Sequence, residues 1–201
     1  MCPADYPPDI DPESGFRLPY PNRDELDDDA KALYDRFADP NGPSYVGLRG
    51  PGGIRLHSPQ LALRTQLLNN YLRRDAGIPV ANRELAILVV ARELDSQFEW
   101  CAHENEALKA GISPEVIDIV RYRKPIDDLP ELQQVIIQLG REIFGDRMVT
   151  PGTFARATTL FGKRHLLDFV SVMANYANTA AILCCYDMQL PPGKEPGLPP
   201  L

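Results

Sequence analysis

An all-α fold is what this sequence predicts, and three observations carry that expectation. Apolar residues recur at three- and four-residue spacing through most of the chain, and strand-like alternation is nearly absent. Ser-Pro and Thr-Pro pairs on one side, and glycines on the other, punctuate the periodic segments at helix-length intervals. About eight helices with short joints follow.

Taken in order, a first helix fits residues 24–38, with Leu26, Ala30, Leu33, Tyr34 and Phe37 on one face. Asp39-Pro40-Asn41-Gly42-Pro43 stops it. Residues 44–57, rich in glycine around Arg49-Gly50-Pro51-Gly52-Gly53, read as a long loop of the kind that carries function. Ser58 and Pro59 suit N-cap and first helical position of a second helix reaching about Arg74, before Gly77-Ile78-Pro79 breaks it. A third helix spans about 81–93, and a fourth about 97–110 with Gly111 as left-handed cap. Ser113-Pro114 opens a short fifth helix to Arg121. Residues 129–144 make a sixth, capped by Gly145. Thr150-Pro151 opens a seventh ending near Gly162, and 165–188 form a long apolar eighth.

Prolines crowd both ends, so the expected organisation is an N-terminal extension (1–57), a helical domain (58–190) and a Pro-rich tail (191–201). The proline-rich ends read as extended arms along the surface or onto a neighbouring subunit. A net charge of −7 without a basic stripe argues against nucleic acid as a partner. The amino terminus has neither the basic nor the apolar region of a secretory signal. Asp168, Asn175, Asn178 and Asp187 interrupt the apolar stretch near the end, which argues against a membrane span. The cysteines, Cys2, Cys101, Cys184 and Cys185, form no CxxC, so reduced thiols in a cytoplasmic protein are expected.

Chemistry concentrates between Arg83 and Gly111. Glu99 and His103 stand four apart and share a helix face, with Glu106 close to it and Trp100, the one tryptophan, alongside. Glu84 interrupts the apolar run of the preceding helix, and antiparallel pairing brings it towards His103. Two readings fit this spacing. One is a solvated surface pair, worth a few tenths of a kcal/mol. The other is a proton-transfer site, in which a carboxylate orients an imidazole that titrates near neutrality.

The runs Arg83-Glu84-Leu85-Ala86-Ile87-Leu88-Val89-Val90-Ala91, Phe98-Glu99-Trp100-Cys101-Ala102-His103 and Ala107-Leu108-Lys109-Ala110-Gly111 resemble the carboxymuconolactone decarboxylase family. The resemblance implies an alkyl hydroperoxidase D-like helical fold, oligomers (trimers or hexamers) and a cofactor-independent reaction on a small carboxylated lactone or ring acid. It also implies His103 as proton donor or shuttle, Glu84 and Glu99 as its carboxylate partners, and Trp100 as pocket wall. Related peroxidases carry a CxxC ahead of the same histidine; aligned on His103, those positions hold Ser96 and Glu99.

An anionic substrate needs a local cation, and Arg49 in the glycine-rich loop is the first candidate, Arg83 the second. Tyr45 on that loop, His57 after it and Tyr176 on the eighth helix complete the candidate substrate-binding set. Glu84, Glu99 and His103 also match the donor set of a non-haem iron or manganese ion, although neither metal nor cofactor is expected. Two alternatives stand beside the lyase: a peroxide or thiol reductase using Cys101 alone, and a non-catalytic oligomer that binds a small acid.

Overall fold

The computed structural model describes residues 6–41 and 46–200, and among them the regular structure is all helical. Contacts divide the chain into two units, Met1–Asn70 with Ala181–Glu195, and Tyr71–Ala180 with Pro196–Leu201.

In the first unit, α1 spans Asp28–Ala38, α2 Pro51–Arg55 and α3 Pro59–Asn70. The helix expected from residue 24 begins later. Asn22 accepts from the Asp24 N–H and caps a single 3₁₀ turn, Arg23–Glu25, which the extended Leu26 ends. Asp27 then accepts from the Ala30 N–H at 2.8 Å and starts α1 proper. The glycine-rich stretch read as loop contains α2, a correction with a local cause. Pro51 at its first turn presets a helical φ. Leu56, just past α2, is buried with Leu33 and Ala62. The N-terminal stretch, expected as an extended surface arm, is partly buried: Ile10 and Phe16 are buried and the Ser14 hydroxyl donates to Leu18 O at 2.7 Å.

The second helix was expected to run to about Arg74. Instead its α-helical hydrogen bonding ends at Asn70, and Tyr71–Asp75, the start of the second unit, forms a wider π turn closed by Ala76 N–H to Tyr71 O at 2.9 Å. There follow α4 (Val80–Glu93), α5 (Gln97–Lys109), α6 (Pro114–Arg121), α7 (Glu131–Gly140) and α8 (Pro151–Cys185). The hub is α4, packed against α5, α6 and α7. Every residue from Leu85 to Ala91 is buried, which explains why its apolar positions show no polar stripe. Gly111, at φ 92°, ends the α5 turn, and Ile112 N–H bonds back to Ala107 O at 3.0 Å.

After α7 a second π turn, Arg141–Asp146, takes up the rest of the expected sixth helix. Gly145 lies inside that turn, and the left-handed residue that stops it is Arg147, at φ 60°. The buried Glu142 carboxylate holds this corner. It accepts from Thr150 N–H at 2.7 Å, from the Thr153 hydroxyl at 2.7 Å and from Gln138 at 2.9 Å, which together fix the start of α8. The seventh and eighth expected helices are the two parts of α8, kinked at Gly162, where φ is 71° and ψ 163°. By length and composition α8 is apolar enough to cross a membrane, but half of its most apolar window is buried within the protein, as in a core helix.

Two close approaches bear on stability. A Cβ at Gly140 would lie 2.4 Å from Val89 Cγ1, so α7 meets α4 only because residue 140 has no side chain. Gly140→Ala is therefore expected to lower unfolding free energy by about 1–3 kcal/mol, through overpacking. Urea denaturation measures this, and an unchanged midpoint would contradict the packing described. The second is in the tail, expected as an extended arm along the surface or onto a neighbouring subunit. Leu198 is buried in the core of the second unit. Gln97 both donates to Leu198 O (2.9 Å) and accepts from its N–H (3.0 Å), and Arg92 donates to Pro199 O at 2.8 Å.

Candidate functional site

Helices α4 and α5 are joined by a three-residue turn, and this hairpin sets the site. Glu84 lies in the first turn and a half of α4, and His103 in the middle of α5. The antiparallel pairing that the short joint enforces brings them together. His103 Nδ1 and Glu84 Oε2 are 2.7 Å apart, with both side chains almost wholly buried. Burial alone would raise the Glu84 carboxyl, but the His103 hydrogen bond, and then the charges of His103, Arg73 and Arg83, outweigh it and hold the carboxyl below its ordinary range. Glu84 is therefore an ionised acceptor. The imidazole hydrogen on that side sits on Nδ1 and donates to it.

Nε2 faces Glu99. The two atoms are 3.8 Å apart, close enough for charge interaction and too far for a hydrogen bond. The two carboxylates thus flank opposite nitrogens of one ring. Among the described residues no group of three or more His, Cys, Asp and Glu side chains converges as a metal site would.

Glu84 has a second partner. Arg83 Nε and Nη2 both donate to Glu84 Oε1, at 3.2 and 3.1 Å, and Arg83 Nη1 donates to the Arg73 carbonyl at 2.9 Å. The π turn at Tyr71–Asp75 presents that carbonyl, and the Arg73 guanidinium on the same turn donates to the Tyr176 hydroxyl at 2.8 Å. Tyr176 stands edge-on to the His103 ring, with centroids 5.1 Å apart and planes at 89°. Irregular turns of this kind inside helical stretches recur at functional sites, because they redirect backbone and side chains that a regular helix would aim elsewhere. Arg73 escaped sequence reasoning: nothing in the run Tyr71-Leu72-Arg73-Arg74 marks it out from an ordinary solvated helix end.

With that geometry in hand, comparison with protein families is informative. Residues 59–139 match the model of the Carboxymuconolactone decarboxylase family. The matched segment holds Arg73, Arg83, Glu84, Glu99 and His103, while Tyr176 reaches them from beyond its end. A comparison with curated proteins returns no match.

The remaining candidates are distributed as follows. Trp100, expected as a pocket wall, is fully buried. Its indole N–H donates to Glu104 at 3.1 Å, Arg121 lies over its ring, and a Cβ on Gly197 would come within 2.6 Å of it. The aromatic ring against His103 is that of Tyr176. Arg49 and His57 belong to the first unit. Arg49 donates to the Tyr6 hydroxyl and packs against Gly15, while His57 Nε2 is 3.0 Å from Pro19 O. Tyr45 lies outside the described residues. Glu106 pairs with Lys109 at 2.7 Å. Cys101, two residues before His103, sits about 200° away around the helix, on another face. Cys184 and Cys185, at the end of α8, are exposed.

Proposed function

We propose that the protein is a cofactor-independent lyase of the carboxymuconolactone decarboxylase type, which moves a proton on a small carboxylated lactone or ring acid. One observation carries the reading: a buried imidazole whose Nδ1 is held by an ionised carboxylate and whose Nε2 lies 3.8 Å from a second one. Such an arrangement suits general acid–base work, because the orienting carboxylate fixes the tautomer and stabilises the protonated ring. In this reading His103 Nε2 delivers the proton to substrate carbon. Glu84 orients the ring, and Glu99 steadies the charge that alternates on Nε2. The His103 hydrogen bond, helped by the charges of Arg73 and Arg83, keeps Glu84 ionised, so that the carboxylate does not take up the proton itself. The separation of Cys101 from the His103 face weighs against the thiol reductase.

A panel of small lactones and cyclic carboxylic acids, assayed in deuterium oxide, tests the proposal. The expected result is turnover with one solvent deuterium bonded to product carbon. Tight calorimetric binding without turnover across the panel would instead favour a small-acid-binding protein, and product free of deuterium would remove proton transfer to carbon.

A further inference from the structure

Tyr176 has more to offer than a ring. Its phenol oxygen accepts from Arg73, and among the described residues no acceptor takes its hydrogen. Tyr176 is buried, and its ring stands perpendicular to that of His103. A buried donor with nothing to donate to costs free energy, and such a cost is sustained where a ligand supplies the missing acceptor.

We infer that Tyr176 is a further catalytic residue, whose hydroxyl donates to a substrate oxygen that becomes an oxyanion, and that Arg73 is the positioning residue that holds and polarises it. The inference rests on the proton-transfer reading and deepens it by naming a substrate class: acids in which the bond that breaks is conjugated to a carbonyl. When the C–C bond to the carboxylate breaks, carbon dioxide leaves. The electron pair left behind moves into the carbonyl, whose oxygen becomes the enolate oxygen. Tyr176 holds that oxygen through its O–H without surrendering the proton. Protonated His103 then gives its Nε2 proton to carbon, the enolate returns to carbonyl, and solvent reprotonates the ring. One proton is taken up and one carbon dioxide released per turnover.

The surroundings suit this role. Burial pushes the Tyr176 hydroxyl far above the ordinary tyrosine range, so it stays a neutral donor at any working pH. The Arg73 guanidinium, which donates to the oxygen through Nη1, makes the O–H a stronger donor, as charge-assisted neighbours do. Preorganised donors aimed at a developing oxyanion act in a dry site without reorganising.

A binding experiment separates this inference from the question of turnover. Para-nitrophenolate, a stable oxyanion with a visible absorbance band, is titrated into the full-length protein alongside nitrobenzene, its uncharged counterpart. Wild type is expected to bind the anion more tightly than nitrobenzene. Tyr176→Phe, which removes one oxygen and keeps the ring, is expected to weaken anion binding by about 10- to 100-fold, the worth of one hydrogen bond to a charged group, with nitrobenzene unaffected. Arg73→Gln reads the same bond from its other end. It should weaken the anion by a smaller factor, with Arg73→Lys recovering part of the loss. Equal anion affinity in wild type and Tyr176→Phe overturns the inference, as does a wild type that does not distinguish the two probes. Neither outcome touches the assignment of His103, which the turnover assay reads separately.

Discussion

His103→Gln is expected to lower turnover by about two to four orders of magnitude, the contribution of a positioned general acid–base group. Gln keeps the side chain's length and its ability to hydrogen-bond Glu84 but has no titratable nitrogen. The loss should fall on kcat rather than on KM, because the ring acts on the proton in flight and not on the bound ground state. Circular dichroism and thermal melting of the variant serve as the control for folding. Turnover within threefold of wild type, on a substrate that wild type turns over, would remove His103 from the chemistry. The same variant also probes the neighbour: the Tyr176 ring loses its edge contact, so a modest loss of stability is expected alongside the large loss of rate.

Glu84→Ala is expected to cost about 3–5 kcal/mol of unfolding free energy, because it strands the buried Arg83 guanidinium without its carboxylate. Removing one partner of a buried pair leaves the other charge desolvated, which costs more than the pair contributes. Urea denaturation measures it, and a loss below about 1 kcal/mol would show that Arg83 finds other compensation. The pH dependence has a definite sign. Folding holds the Glu84 carboxyl below its unfolded value of 4.5. Its contribution is therefore fully present above that value and is lost as pH falls through the lower, folded one. The stability gap between wild type and Glu84→Ala should accordingly hold near neutrality and narrow as pH drops below 4.5. Glu142 is held low by its own ring of donors, from Gln138, Thr150 and Thr153, despite burial that opposes it, so the variant keeps part of the acid sensitivity.

Much of this molecule was legible in the sequence, for reasons that are local. Ser113-Pro114, Gly111 and the Pro59 start are capping chemistry, decided within four or five residues of chain, and the helices begin and end at or within a few residues of the expected positions. The pairing of Glu84 with His103 was also readable, since a three-residue joint leaves two helices little choice but to pack antiparallel. What escaped is what tertiary packing decides. The π turns at Tyr71–Asp75 and Arg141–Asp146 have no sequence signature here, and both were absorbed into longer α-helices. Arg73 was missed because its partner is 103 residues away. Leu198 falls in a stretch that reads as an extended surface arm, because nothing in Gly-Leu-Pro-Pro tells of the Gln97 amide that receives it. Trp100 neighbours His103 in sequence, yet its indole bonds Glu104 on the next turn, while Tyr176 approaches the imidazole from another helix.

The hairpin of α4 and α5 has a bearing on how such a site comes into being. Its central pair closes a loop of only 19 residues, and closing so short a loop costs little chain entropy. Contacts of this kind form early in folding, whereas the Tyr176 contact must await a helix far downstream. The proton-handling pair is thus nearly autonomous, and the groups that select what it acts on arrive later, from elsewhere in the chain. A lineage can therefore keep the hairpin and exchange its visitors, inheriting the reactivity while renegotiating the substrate.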